Sequence, residues 1–162
     1  MVQIHYLQIV RLTAQEEYGL RCLLQVAREQ ELTTPELARR EGLTKAHVHK
    51  LMRLLRRAGL VESTRGRNGG YRLARPAEQI DVDSVLASLG GRIYPGNFCH
   101  QHRGVARLCV RDGDCSIRAV WMAIDQAVQR ALGMTRLSDL LRSEPKMTAF
   151  MRAEVFPLRT LS

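Results

Sequence analysis

The stretch TPELARREGLTKAHVHKLMRLLRRAGLVESTRGRNGGYRLAR, residues 34–75, decides the fold. Thr34 as an N-cap, Pro35 in the first turn, the apolar pair Leu37 and Ala38, and Gly42 as a stop predict a short helix over 35–41. After the tight connection Gly42-Leu43, Thr44 caps a further helix that runs to Ala58 and closes at Gly59. Two helices joined this closely make a helix-turn-helix. From Leu60 two strand-like pieces, 60–64 and 70–74, flank an Arg- and Gly-rich tip. There Asn68-Gly69-Gly70 supplies the positive φ angles of a hairpin turn, so the pair reads as a wing.

Upstream, Thr13 and Glu16 stand at capping-box spacing, and Leu20, Leu23, Leu24 and Ala27 recur at helical intervals, predicting a helix over 14–29. Downstream, Asp81 and Ser84 open a short helix over 82–89 that the Gly90-Gly91 pair ends. Residues 90–114 have no sustained period and read as a long irregular insertion. Helix returns over 115–132, where Ile117, Val120, Trp121, Ile124, Val128, Ala131 and Leu132 form a wide apolar stripe of the kind that suits a dimer interface. Thr135 is expected to cap a last short helix through Leu141. The expected fold is mainly α with a small β-hairpin wing: a winged helix-turn-helix plus a long C-terminal dimerisation helix. Its divisions are 10–75 for the DNA-binding domain, 76–142 for the loop and dimerisation helix, and 143–162 for a flexible tail.

At about 100° per residue the third helix places Val48, Leu51, Met52, Leu55 and Ala58 on one side and Ala46, His49, Lys50, Arg53 and Arg57 on the other. The apolar side docks, and the outward N-terminal end is what enters a major groove. Thr44, Lys45, Ala46, His49 and Lys50 are therefore the groove candidates. His49 is suited to a base edge, whereas Lys50 and Arg53 suit phosphates. His47 falls at the core boundary and is expected to pack. Arg65 and Arg67 project from the wing tip towards a minor groove.

Charge agrees with a polyanionic partner. The net charge is +9, and residues 1–75 hold fourteen basic against seven acidic side chains. Phosphate neutralisation turns such an excess into sequence-independent affinity. No apolar run approaches the roughly 20 residues of a membrane span, and the first ten residues lack a secretory signal, so the expected location is the cytoplasm. No nucleophile–base pair, phosphate-cradling loop or cofactor fingerprint points to an enzyme.

In a reducing compartment four cysteines favour metal ligation or redox sensing over disulfides. Cys22 lies on the periodic face of the first helix and reads as a core thiol. Cys99, Cys109 and Cys115 lie in or beside the insertion, with nine and then five residues between them. Thiolates on such a loop suit an iron–sulfur cluster or zinc, with His100 or His102 as a nearby fourth ligand. A metal-free thiol switch is the remaining alternative.

With RLTAQEEYGLR at 11–21, the helix-turn-helix, the wing RGRNGGYRL at 65–73 and a Cys-rich loop before a long helix, the chain resembles the IscR and NsrR type of winged-helix regulators over about residues 10–142. Residues 1–9 are then an expected extension. The resemblance implies a homodimer on a double-stranded DNA operator, with a 2Fe-2S or 4Fe-4S cluster held by Cys99, Cys109 and Cys115. In that family an acidic side chain from the partner's first helix completes the ligation, and Glu17 aligns with that position.

Overall fold

A computed structural model describes residues 12–64, 69–92, 94, 95, 98–101, 109 and 113–156. Helix α1 spans Ala14–Glu29 and opens with a complete capping box, in which Thr13 accepts from the Glu16 amide while the Glu16 carboxylate accepts from the Thr13 amide at 2.7 Å. Helix α2 spans Thr34–Glu41. Its cap is Thr33 rather than Thr34, because Thr33 stands three residues before Glu36 and closes a second capping box. Gly42, at φ 66°, turns the chain left-handed out of α2, and Thr44 caps α3 at Lys45–Arg57.

Strands β1 (Val61–Ser63) and β2 (Tyr71–Leu73) pair antiparallel, with Val61 opposite Leu73 and Ser63 opposite Tyr71. Tyr71 also exchanges backbone hydrogen bonds with Leu32 at 2.8 and 3.1 Å, which fastens the wing to the α1–α2 connection. Gly70 is required there, since a Cβ would stand 2.7 Å from the Leu32 carbonyl oxygen. The wing tip, 65–68, lies outside the described residues.

Helix α4 (Val82–Leu89) follows its Asp81 cap, and α5 (Phe98–Gln101) is a single turn inside the stretch expected to be irregular. Helix α6 spans Ser116–Met134. Thr135 does not cap a new helix. It closes α6, its hydroxyl donating to the Ala131 carbonyl at 3.0 Å, and only a 3-10 turn, Asp139–Leu141, follows. The expected flexible tail is helical over α7 (Glu144–Phe150) and a π turn at Met151–Val155. Ser143 as N-cap and Pro145 in the first turn favour that start.

One core joins these elements. Leu23 and Val26 of α1, Leu37 of α2, Val48, Leu51, Met52 and Leu55 of α3, and Val61 of β1 are buried together with Ile80, Val85 and Leu137. Leu137 arrives from beyond α6, held by its amide to the Ile80 carbonyl at 2.8 Å, with Asp81 and Arg136 bridged alongside. The core therefore runs unbroken across position 75. Among the described residues no helix is long and apolar enough to cross a membrane.

Candidate nucleic-acid interface and thiol loop

The burial of α3 follows its helical period. Val48, Leu51, Met52 and Leu55 are fully buried, which forces the intervening positions outward. Thr44, Lys45, Ala46, His49, Lys50 and Arg53 are all exposed. Ala58, placed on the apolar side by periodicity, is exposed because it is the C-cap, where the helical geometry ends. His47 packs edge-on against Tyr18, ring centroids 5.6 Å apart, so it belongs to the α1–α3 contact.

His49, Lys50 and Arg53 line a concavity of about 470 Å³ with Ala46, Arg56 and Tyr71. Arg56 and Tyr71 were missed at the level of sequence. Arg56 was findable, being one turn after Arg53 on the same face; it also donates to the Ser63 hydroxyl at 3.2 Å, joining α3 to β1. Tyr71 was not findable, because its place depends on strand register. Its hydroxyl lies 3.4 Å from His49 Nδ1. The lining carries three cations and no carboxylate, so its field favours phosphate. At the base of the wing Arg72 pairs with Glu62 at 3.0 Å. Arg65 and Arg67 fall outside the described residues.

All four cysteines are free thiols. Cys22 is fully buried, and burial with the nearby Glu41 carboxylate pushes its thiol up to about 12. Cys99, Cys109 and Cys115 are half-buried. Cys99 sits on α5, its sulfur 3.0 Å from the Tyr94 hydroxyl. Cys115 is the N-cap of α6, and its sulfur accepts from the Arg118 amide at 3.4 Å. Tyr94 is thus joined to the Cys99 thiol. Its bond to Cys99, loss of solvent, and the charges of Cys99 and Cys115 hold the phenol above its ordinary range, against the opposing Arg118.

Glu17 is exposed on α1 and borders a cleft of about 620 Å³ between α1, α4, α6 and α7. Among the described residues, no three of the candidate ligands meet as a metal-binding group within one protomer. His102 lies outside the described residues.

The Rrf2 family, described as iron-dependent transcriptional regulators, matches residues 12–143. The chain belongs to the Rrf2 family. Protein aau3 of Rhizobium meliloti is 44% identical over 90% of this chain and 94% of its own length. The HTH-type transcriptional regulator IscR of Cereibacter sphaeroides is 30% identical over 83% of this chain and 89% of its own. Among solved structures, CymR (YrzC), the global cysteine regulator of B. subtilis, superposes with a TM-score of 0.64 at 28% identity, covering 81% of this chain and 95% of CymR. This Rrf2 protein is accordingly a DNA-binding transcriptional regulator and not an enzyme. The winged-helix fold expected from residues 34–75 is the fold of the family.

Proposed function

We propose that this Rrf2 regulator binds a near-palindromic operator as a homodimer, and that an iron–sulfur cluster on Cys99, Cys109 and Cys115 controls its affinity. The observation that carries the sensor half is the set of three free, half-buried thiols on and beside one insertion, one of them bonded to Tyr94. Their softness fits iron–sulfur or zinc chemistry, and Glu17 of the partner subunit is the proposed oxygen ligand. A bound cluster would supply redox and ligand-exchange chemistry at that loop. The protein's own part is to fasten the loop at Cys115 to the first turn of α6 and to bring Glu17 from the opposing reading head.

Dimerisation is assigned to α6. Ile117 is 52% exposed, Val120 56% and Met122 45%, a degree of apolar exposure that a lone protomer has no reason to keep. Two-fold symmetry of the protein then matches two-fold symmetry of the operator. Thr44, Lys45, Ala46, His49, Lys50 and Arg53 are assigned to one groove, with Arg65 and Arg67 at the wing tip. A cluster shifts operator affinity only if its loaded and empty forms favour different arrangements of the two heads. Ligation across the dimer, thiols from one subunit and carboxylate from the other, is a direct way to impose that difference.

A second reading keeps the same cysteines as a metal-free thiol switch, favoured by the likeness to CymR, a cysteine regulator. Anaerobic purification with a visible spectrum, iron and acid-labile sulfide analysis, and operator titration separates the two. Iron, sulfide and colour, all lost in Cys99→Ala together with a changed affinity, are expected. Colourless protein whose DNA binding is unaltered by Cys99→Ala removes the sensor, and zinc without sulfide assigns a structural metal.

A further inference from the structure

The contact between Tyr71 of the wing and His49 of α3 joins the two elements that the DNA-binding reading brings to the duplex, and the inference below rests on that reading. The Tyr71 hydroxyl and His49 Nδ1 are 3.4 Å apart. Tyr71 lies in register opposite Ser63 in the hairpin, and both its backbone N–H and its carbonyl are hydrogen-bonded to Leu32 of the α1–α2 connection. Its phenol is thus placed by the fold, whereas His49 is an exposed side chain whose ring would otherwise turn freely. Ordering such a ring before binding lowers the entropic cost of using it.

The direction of the hydrogen bond follows from elementary acidity. A phenol O–H is a much stronger acid than a neutral imidazole N–H, and an imidazole ring nitrogen is a much better base than a phenolic oxygen. The phenol therefore donates. The remaining lining of the concavity, Lys50, Arg53 and Arg56 with Ala46, offers no carboxylate to compete for the ring. With Nδ1 occupied as acceptor, the neutral imidazole carries its proton on Nε2, which becomes a donor.

We propose that Tyr71 is a specificity-determining positioning residue: it fixes the tautomer and direction of His49 so that Nε2–H is presented to an acceptor on a base edge in the major groove. Guanine offers two such acceptors, N7 and O6, while cytosine offers the N4 amino donor there, so the pair selects guanine against cytosine at one position of each half-site. Lys50, Arg53 and Arg56 around it hold phosphates and fix the register in which His49 reads.

The test is a binding selection from randomised duplex DNA with the full chain, followed by competition titrations, for wild type, Tyr71→Phe, His49→Ala and the double variant. Tyr71→Phe keeps the ring, and thermal unfolding confirms that it keeps the fold. Wild type is expected to enrich guanine at one position per half-site, and His49→Ala to lose that enrichment. Tyr71→Phe is expected to cut the guanine-over-cytosine preference there by about 2- to 10-fold, the worth of one net hydrogen bond, while other positions stay unchanged. In the His49→Ala background Tyr71→Phe should add nothing. An even loss of affinity over all sequences, or a selection profile identical to wild type, overturns the role of Tyr71. A wild-type protein that selects no motif at all overturns the DNA-reading assignment of α3 and the inference with it.

Discussion

The Tyr94 amide donates to Asp125 Oδ1 at 3.2 Å, so the chain leading into the cysteine insertion is tied to the middle of α6. Asp125 is buried and also accepts from Gln129 one turn along. Through Tyr94 the tie reaches the Cys99 sulfur. Asp125→Ala leaves the Tyr94 amide without its carboxylate partner and is expected to cost about 1–3 kcal/mol in urea denaturation. Amide exchange at Tyr94 should accelerate, while Asp125→Asn, which keeps an acceptor oxygen, should retain most of the protection. Unchanged exchange in Asp125→Ala would show that the tie does not order the loop.

Cys22 gives the pH dependence. Its thiol is pushed up to about 12 in the folded chain from an ordinary value of 9.0. A group whose folded value is raised contributes stability that is complete below the unfolded value and disappears as pH rises through the folded one. Between pH 9.0 and about 12 the unfolded chain releases this proton first, so Cys22 subtracts stability as pH climbs. Comparing Cys22→Ser with wild type across that window isolates the contribution, which should vanish from the slope of the variant. In native protein at pH 8, iodoacetamide should label Cys99, Cys109 and Cys115 when no metal is bound and reach Cys22 only on unfolding.

Glu41 locks the two helices that precede α3. Its carboxylate accepts from Arg21 Nε at 2.6 Å and from Gln25 at 2.7 Å, so the end of α2 is bound to α1. The Glu41 side chain is 5% exposed but Arg21 is 44% exposed, so removing the acid leaves the guanidinium hydrated and limits the penalty. Glu41→Ala is expected to lose about 1–2 kcal/mol by chemical denaturation, and Arg21→Ala more, because that variant strands a buried carboxylate.

Phosphate contacts are separable from base contacts by salt. Lys50→Ala and Arg53→Ala should each weaken binding evenly across DNA sequences and lower the slope of log affinity against log salt by about 0.9. A change in sequence preference without a change in slope would reassign either residue to the base edges.

The proposed dimer rests on the exposed apolar face of α6, where Trp121 stands 37% exposed beside Ile117. Ile117→Glu with Trp121→Arg should convert the dimer to monomer in sedimentation at micromolar concentration and leave helix content unchanged. A dimer persisting in that variant would place the interface elsewhere.

What could be read from the chain was what depends on near neighbours. Thr13 with Glu16 and Thr44 with His47 are separated by three residues, and the alternation of Val48, Leu51, Met52 and Leu55 is a single-helix property. The choice of Thr34 over Thr33 went astray because both precede Pro35, and only the spacing to Glu36 distinguishes them. Contacts made by register or by chain return stayed hidden. Tyr71 reaches His49 only once β2 is paired, and Leu137 reaches the core only once α6 has carried the chain back. The three loop thiols were visible as chemistry, but their mutual placement is a matter of tertiary structure, and among the described residues they form no metal-binding group within one protomer.

The burial of Leu137 beside Ile80 and Val85 has a practical corollary. The winged-helix half takes its last wedge from a segment placed after the cysteine insertion, so cutting the chain behind the wing would open a hole in that half rather than liberate it. The two halves are consequently inseparable in construction: the residue that seals the core of the first arrives on the stretch of chain that leaves α6.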